Sequence, residues 1–199
     1  MLSERQQQII DESIKIIDEK GIQGLTIKNL SKAIGISEPG IYRHFESKTV
    51  ILLTILNSFK EMAEMLSGLM KDYQGTATKK IEFMFSRMLE LFSASPSMVS
   101  VIFSEEIFKN EELLKQKITQ VLNLHAATIE LIITQGQNDD NVRKDIDVKT
   151  LALMIMGSLR LLVKRWDLND HDFDLSREGG KLVQGLDKIL ACPDATPNR

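Results

Sequence analysis

Apolar residues recur three and four positions apart along almost the whole chain, and no stretch alternates strictly between apolar and polar. That spacing predicts an all-α protein. Ile10, Ile14 and Ile17 form one stripe with Ile9 and Ile16 beside it, so a first helix is expected over 3–20, closed by Gly21 as a C-cap. Thr26 is placed to cap a short second helix over 27–34, with Ile27, Leu30, Ala33 and Ile34 on its inner face and Gly35 as its stop. Ser37 is placed to cap a third helix, with Glu38 in the first turn, where a negative charge suits the positive end of the helix dipole. Pro39 falls early enough to lose no intrahelical hydrogen bond. Ser47 caps a fourth helix running through Met65 to residue 72.

Past residue 78 the helices lengthen and become richer in Met and Phe. They are expected over 79–92, 96–108, 111–137, 148–167 and 176–191, with Asn110 and Asp147 as caps. The stretch 148–163 is apolar nearly all round, which fits either a helix covered on an inward and an outward face or one central to its own bundle. Gly157 and Ser158, with Gly179, Gly180 and Gly185 in the last helix, would allow close helix approach. The expected domains are a head over 1–48, a larger helical domain over 49–191, and a flexible tail over 192–199.

Composition narrows the class. The formal net charge of -3 gives no global basic field. The segment 26–48 nevertheless carries Lys28, Lys32, Arg43 and Lys48 against only Glu38 and Glu46, so a basic excess is local to the two short helices. The single cysteine, Cys192, excludes an internal disulfide and fits a reducing cytoplasm. The N-terminus lacks the apolar core of a secretory signal. The most apolar run, 151–163, is interrupted by Arg160 and falls short of the roughly 20 residues that span a bilayer. A cytoplasmic, nucleoid-associated protein is expected, with no membrane partner.

Two short helices separated by Gly35-Ile36-Ser37 have the length and turn chemistry of a helix-turn-helix. The run LTIKNLSKAIGISEPGIYRHFESK, residues 25–48, resembles the DNA-binding signature of the TetR/AcrR transcriptional regulators. The matching features are Thr26 at the start of the second helix, Ala33-Ile34-Gly35 at its end, Ile36-Ser37 at the turn, and the pattern Tyr42-x-His44-Phe45-x-Ser47-Lys48. The turn over 142–147 is a weaker echo of the same family. The resemblance implies a homeodomain-like three-helix DNA-binding head with a C-terminal helical ligand-binding and dimerisation bundle. It also implies a homodimeric regulator, most often a repressor, acting on palindromic double-stranded operator DNA.

The residue chemistry agrees. A helix entering the major groove needs small or flat residues at its leading end, and Pro39 and Gly40 supply them. By resemblance, Thr26, Tyr42, His44 and Lys48 hold the phosphate backbone, and Lys28 matches a position that sometimes touches DNA. Their hydroxyl, phenol, imidazole and ammonium groups are suitable donors to phosphate oxygens. Arg43 can reach a base edge or a phosphate. Glu38 is either a reader of a cytosine amino group or a helix-start charge. Ser37 is a cap, with or without a DNA contact. Phe45 is expected in the core. One such module makes few contacts, so a two-fold dimer is expected, joined through the helices at 148–167 and 176–191.

In the resembled family the larger domain binds a small molecule. Candidate lining here is Met65, Met84, Phe85, Met88 and Phe103, with Met62, Phe92 and Phe108 nearby and His125 as a polar handle. The same stripe also reads as plain core. An uncharged apolar or aromatic effector is the expectation. No metal, cofactor or catalytic centre is expected: there is no His/Glu metal spacing, no phosphate-cradling glycine loop and no structured cysteine nucleophile. Two other readings of the chain are a nucleoid-occlusion or chromosome-organising protein on the same scaffold, and a small-molecule binding protein with a vestigial head.

Overall fold

The computed structural model describes residues 2–103 and 111–192. Among the described residues the regular structure is all helical: α1 Glu4–Gly24, α2 Ile27–Ile34, α3 Glu38–Tyr42, α4 Lys48–Asp72, α5 Ala77–Ala94, α6 Ser97–Ile102, α7 Glu112–Asn138, α8 Val148–Leu168 and α9 Leu175–Leu190. The helix expected over 96–108 is described only as α6 and the turn at Phe103, and the proposed cap Asn110 and Phe108 lie outside the described residues. Division by packing differs from the functional division drawn at 48/49. One compact unit comprises Met1–Ala63 with Ser95–Leu122, and the other Glu64–Ala94 with Asn123–Arg199.

In the first unit, α1 opens with a reciprocal cap. The Gln6 N–H donates to Ser3 Oγ at 3.2 Å and the Ser3 N–H donates to Gln6 Oε1 at 3.0 Å. Gly21, at φ 66° and ψ 177°, breaks the helix where its C-terminus is expected, and a single further turn leads to buried Leu25. Ile9, Ile10, Ile16 and Ile17 face Leu30, Ile41, Phe45, Ile51 and Ile55 in one core, with Val101, Leu114 and Ile118 completing it. Each such side chain contributes about 1.5–3 kcal/mol by leaving water. One expectation is corrected. Ala33 is exposed, and Ser31 is buried beside Leu30 in α2, its hydroxyl donating to the Lys28 carbonyl at 3.0 Å. A serine satisfied by its own helix can be buried like an apolar residue.

In the second unit α9 packs on both α5 and α8. Gly179 lies so close to α5 that a β-carbon there would meet Leu89 Cδ1 at 2.0 Å. Its small size therefore serves contact inside the protomer, whereas Gly157, Gly180 and Gly185 face open space. Asn141 Oδ1 accepts from the Ala77 N–H at 3.2 Å. Arg143 pins the turn over 142–147: its N–H donates to the Leu190 carbonyl at 2.8 Å and its guanidinium pairs with Asp145 at 2.7 Å. Helix α8 buries Leu151, Ile155, Leu159, Val163 and Trp166 on one face. Its other face exposes Leu161, Met154 and Leu153, the last of these 73% exposed. Among the described residues no helix is long and apolar enough to cross a membrane.

Candidate functional site

The turn between α2 and α3 follows from three local choices. Thr26 Oγ1 accepts from the Asn29 N–H at 3.1 Å and so starts α2. Gly35 ends it in the left-handed conformation, φ 76°, ψ 31°, that glycine adopts without a β-carbon penalty. Ser37 Oγ then accepts from the Gly40 N–H at 3.2 Å and starts α3. The capping roles expected of Thr26, Ser37 and Ser47 are all made, the last through the Val50 N–H at 3.2 Å. A hydroxyl that accepts from the backbone keeps its own proton, so Thr26 and Ser37 remain donors toward solvent.

Helix α3 is only five residues long, too short to persist by propensity alone. Tertiary anchors hold it. Ile41 is fully buried and Phe45 nearly so. The His44 carbonyl accepts from Gln6 Nε2 at 3.3 Å, tying the end of α3 to α1. Lys48 Nζ donates to the Ile22 carbonyl at 3.4 Å, bringing the start of α4 to the α1–α2 turn. Asn29 Nδ2 donates to the Gly24 carbonyl at 2.8 Å at that turn. Gln6 and Asn29 are supports that sequence reasoning missed, because nothing in their local spacing marks a partner so distant or so turned.

With the inward residues fixed, the remainder of the segment faces out. Thr26, Lys28, Ser37, Glu38, Pro39 and Arg43 are exposed, Tyr42 is 50% exposed, and Gly40, His44 and Lys48 are half-buried. Tyr42 thus keeps substantial solvent-facing surface. All ten residues belong to the first compact unit. They form a surface rich in donors, with two bare positions, Pro39 and Gly40, at the leading end of α3. Such a surface can grip phosphate oxygens and bring a short helix against base edges.

Six residues are expected around an effector. Phe103 belongs to the first unit and the other five to the second. Met65 is 64% exposed, while Met84 and Phe85 are buried core and Met88 and His125 are half-buried. Burial in apolar surroundings holds the His125 imidazole below its ordinary value of 6.5. A cleft of about 340 Å3 lies in the second unit between α4, α5 and α7, and none of the six lines it. Its polar lining gives no periodic signal in sequence.

Residues 9–55 match the model of bacterial regulatory proteins of the tetR family, and residues 57–187 match that of the YsiA-like protein C-terminal region. A fatty acid metabolism regulator protein from Bacillus subtilis is 26% identical over 171 residues, covering 84% of this chain and 86% of that one. Nucleoid occlusion factor SlmA from Glaesserella parasuis is 27% identical over 120 residues, 60% of this chain and 59% of its own. The crystal structure of the Bacillus subtilis transcriptional regulator FadR in complex with stearoyl-CoA shares the fold at a TM-score of 0.78 and 24% identity, covering 90% of this chain and 96% of that chain. With the tetR-family model matched over the helix-turn-helix and the YsiA-like C-terminal model over residues 57–187, the chain belongs to the TetR family of bacterial regulatory proteins and is a DNA-binding transcriptional regulator rather than an enzyme.

Proposed function

We propose that this regulator is a cytoplasmic homodimeric repressor that binds a palindromic operator and is governed by a small amphipathic effector. Residues 1–48 act as the reading head and 49–191 as the effector-binding and dimerisation part. The observation that carries the reading is the outward set Thr26, Lys28, Tyr42, Arg43, His44 and Lys48 around the bare edge Pro39-Gly40. Tyr42, His44, Lys48 and Thr26 grip phosphates, Arg43 meets a base edge or phosphate, and Glu38 accepts from a cytosine amino group.

Dimerisation through α8 and α9 is supported by Leu153, Met154 and Leu161 on the outer face of α8 and by Ile189 on α9, apolar side chains that water should not keep. Gly157, Gly180 and Gly185 beside them leave room for a partner's side chains. The effector is received in the second unit, whose interior includes Met84, Phe85, Met88 and His125. The stearoyl-CoA bound by the Bacillus subtilis relative supports a ligand with a long apolar portion.

Selection of bound sequences from random duplex DNA tests the reading. Recovery of one palindrome supports it, and no enrichment at low salt overturns it. A second reading, chromosome-organising work, is favoured by the match to SlmA over 120 residues. Genome-wide mapping separates the two: a few promoter-proximal sites support repression, many dispersed sites the other role.

A further inference from the structure

Lys80 stands in the first turn of α5 and is only 6% exposed. Its ammonium donates to Gln135 Oε1 at 2.7 Å, a neutral acceptor, and among the described residues no carboxylate lies within ion-pair distance of it. Its neighbour Lys79, by contrast, pairs with Glu82 at 2.7 Å. The position is electrostatically poor for a cation. The start of a helix carries partial positive charge, and α5 has no acidic residue in its first turn. Buried charges are ordinarily paired, so a buried ammonium with only an amide oxygen is missing half of its usual environment.

That ammonium borders the cleft between α4, α5 and α7, whose lining includes a second cation, Lys71, and no carboxylate. Ser67 and Thr128 supply hydroxyls to the same wall, linked to each other at 3.0 Å. Met70, Leu131 and Ile132 supply apolar surface, and Leu131 is held there despite being exposed. Gln135 is itself a surface residue, so its amide can swing away from Lys80 without disturbing the core. Two cations, hydroxyl donors and an apolar wall in one concave space fit a molecule with an anionic head and an apolar body.

We propose that the cleft at the start of α5 binds the anionic head of the effector, a carboxylate or phosphate ester on an aliphatic body, with Lys80 as its principal partner and Lys71 as the second. The bound head replaces the Gln135 oxygen at Lys80, exchanging a neutral acceptor for a charged one. This rests on the reading that the second unit receives the effector, and it changes the expected ligand from uncharged to anionic.

The test is calorimetric titration of the full-length protein, without DNA, using decanoate, decyl phosphate, decanol and decyltrimethylammonium. Decanoate or decyl phosphate binds at least about tenfold more tightly than decanol, the span expected of a hydrogen bond to a charged group, and the tighter of the two identifies the head. Lys80→Met abolishes that preference and leaves decanol binding unchanged. The unliganded variant melts no lower than the parent, because what was removed was a charge without a counterion. A purely structural Lys80 predicts the opposite: a lower melting temperature for Lys80→Met and no anion preference in the parent. Gln135→Leu, at a surface position, keeps or strengthens the preference and serves if Lys80→Met does not fold. Equal binding of decanol and both anions, or undiminished anion binding by Lys80→Met, overturns the proposal. Operator binding by the unliganded variants is measured alongside. A protein that binds operator yet ignores every anion refutes this site alone, whereas one that binds anions but no DNA refutes the regulator reading alone.

Discussion

Replacing Lys48 by glutamine isolates one phosphate contact with little structural cost. The side chain is half-buried, and its one intramolecular hydrogen bond, to the Ile22 carbonyl, is long at 3.4 Å. Losing such a bond costs less than about 1 kcal/mol. The consequence for DNA is different in kind. Each phosphate neutralised by a lysine or arginine steepens the fall of log affinity with log salt by about 0.9. If Lys28, Arg43 and Lys48 each neutralise one phosphate, a dimer makes about six such contacts and the slope is about -5.4. Lys48→Gln removes two of them and brings the slope to about -3.6.

Over a fourfold rise in salt, the parent then loses roughly 2000-fold in affinity and the variant only about 150-fold. Fluorescence anisotropy of a labelled operator at several potassium chloride concentrations reads this directly. Arg87→Gln, on an exposed face of the other unit, is the control and leaves the slope unchanged. A change of about 0.9 rather than 1.8 means that one head engages at a time, which refutes the dimer reading. An unchanged slope with intact binding means that Lys48 touches no phosphate, and the interface would have to be redrawn.

Gly35→Ala places a β-carbon in the left-handed conformation and costs about 1–2 kcal/mol, while Gly35→Asn costs less; thermal melts that rank Asn no better than Ala would show that steric space rather than φ governs the site. Leu161→Glu, at an exposed position of α8, leaves the melting of the helical fold intact but yields monomers in sedimentation and lowers operator affinity at least tenfold; a variant that remains dimeric removes α8 from the interface. His125 is held below 6.5 by burial, so the unfolded chain binds more protons than the folded one as pH falls. Stability tied to its neutral ring is therefore full above 6.5 and lost as pH drops through the lowered value. In melts across that window His125→Gln flattens the decline, and an identical pH profile in the variant refutes the assignment.

What was legible in the sequence was what short-range chemistry decides. Thr26, Gly35 and Ser37 act within three residues of themselves, so the two short helices and the turn between them were placed closely. Asp147 caps α8 in the same local way, through the Thr150 N–H at 3.0 Å. Ser31 escaped because periodicity counts a serine as polar, although its hydroxyl is answered within its own helix. The cleft beside Lys80 escaped for a different reason. It is lined by Lys80 and Gln135, far apart in sequence, whose juxtaposition no helical period encodes. Of the Met and Phe stripe that was legible, Met84 and Phe85 are almost wholly buried. Gly179 likewise reads as a small residue for a partner helix, yet Leu89 of the same chain occupies the space above it.

The same contrast explains how a five-residue helix can hold its shape. An isolated helix of that length would be almost wholly unfolded, since nucleation costs more than so few hydrogen bonds return. Here Ile41 locks the middle of α3 into the core, Ser37 satisfies the Gly40 N–H at its start, and Gln6 holds the His44 carbonyl just past its end. Order in α3 therefore derives from its cap and from tertiary anchors rather than from the helix itself. If Glu38, Pro39, Tyr42 and Arg43 meet the duplex as proposed, their prior positioning lowers the binding free energy spent on ordering them. A longer recognition helix would gain stability of its own but would need fewer of these anchors, and its outward face would be set less strictly by the core. The short helix ties reading to packing. Perturbing Gln6 or Ile41 should therefore weaken DNA binding as a change in the head's folding equilibrium, without altering which bases are preferred.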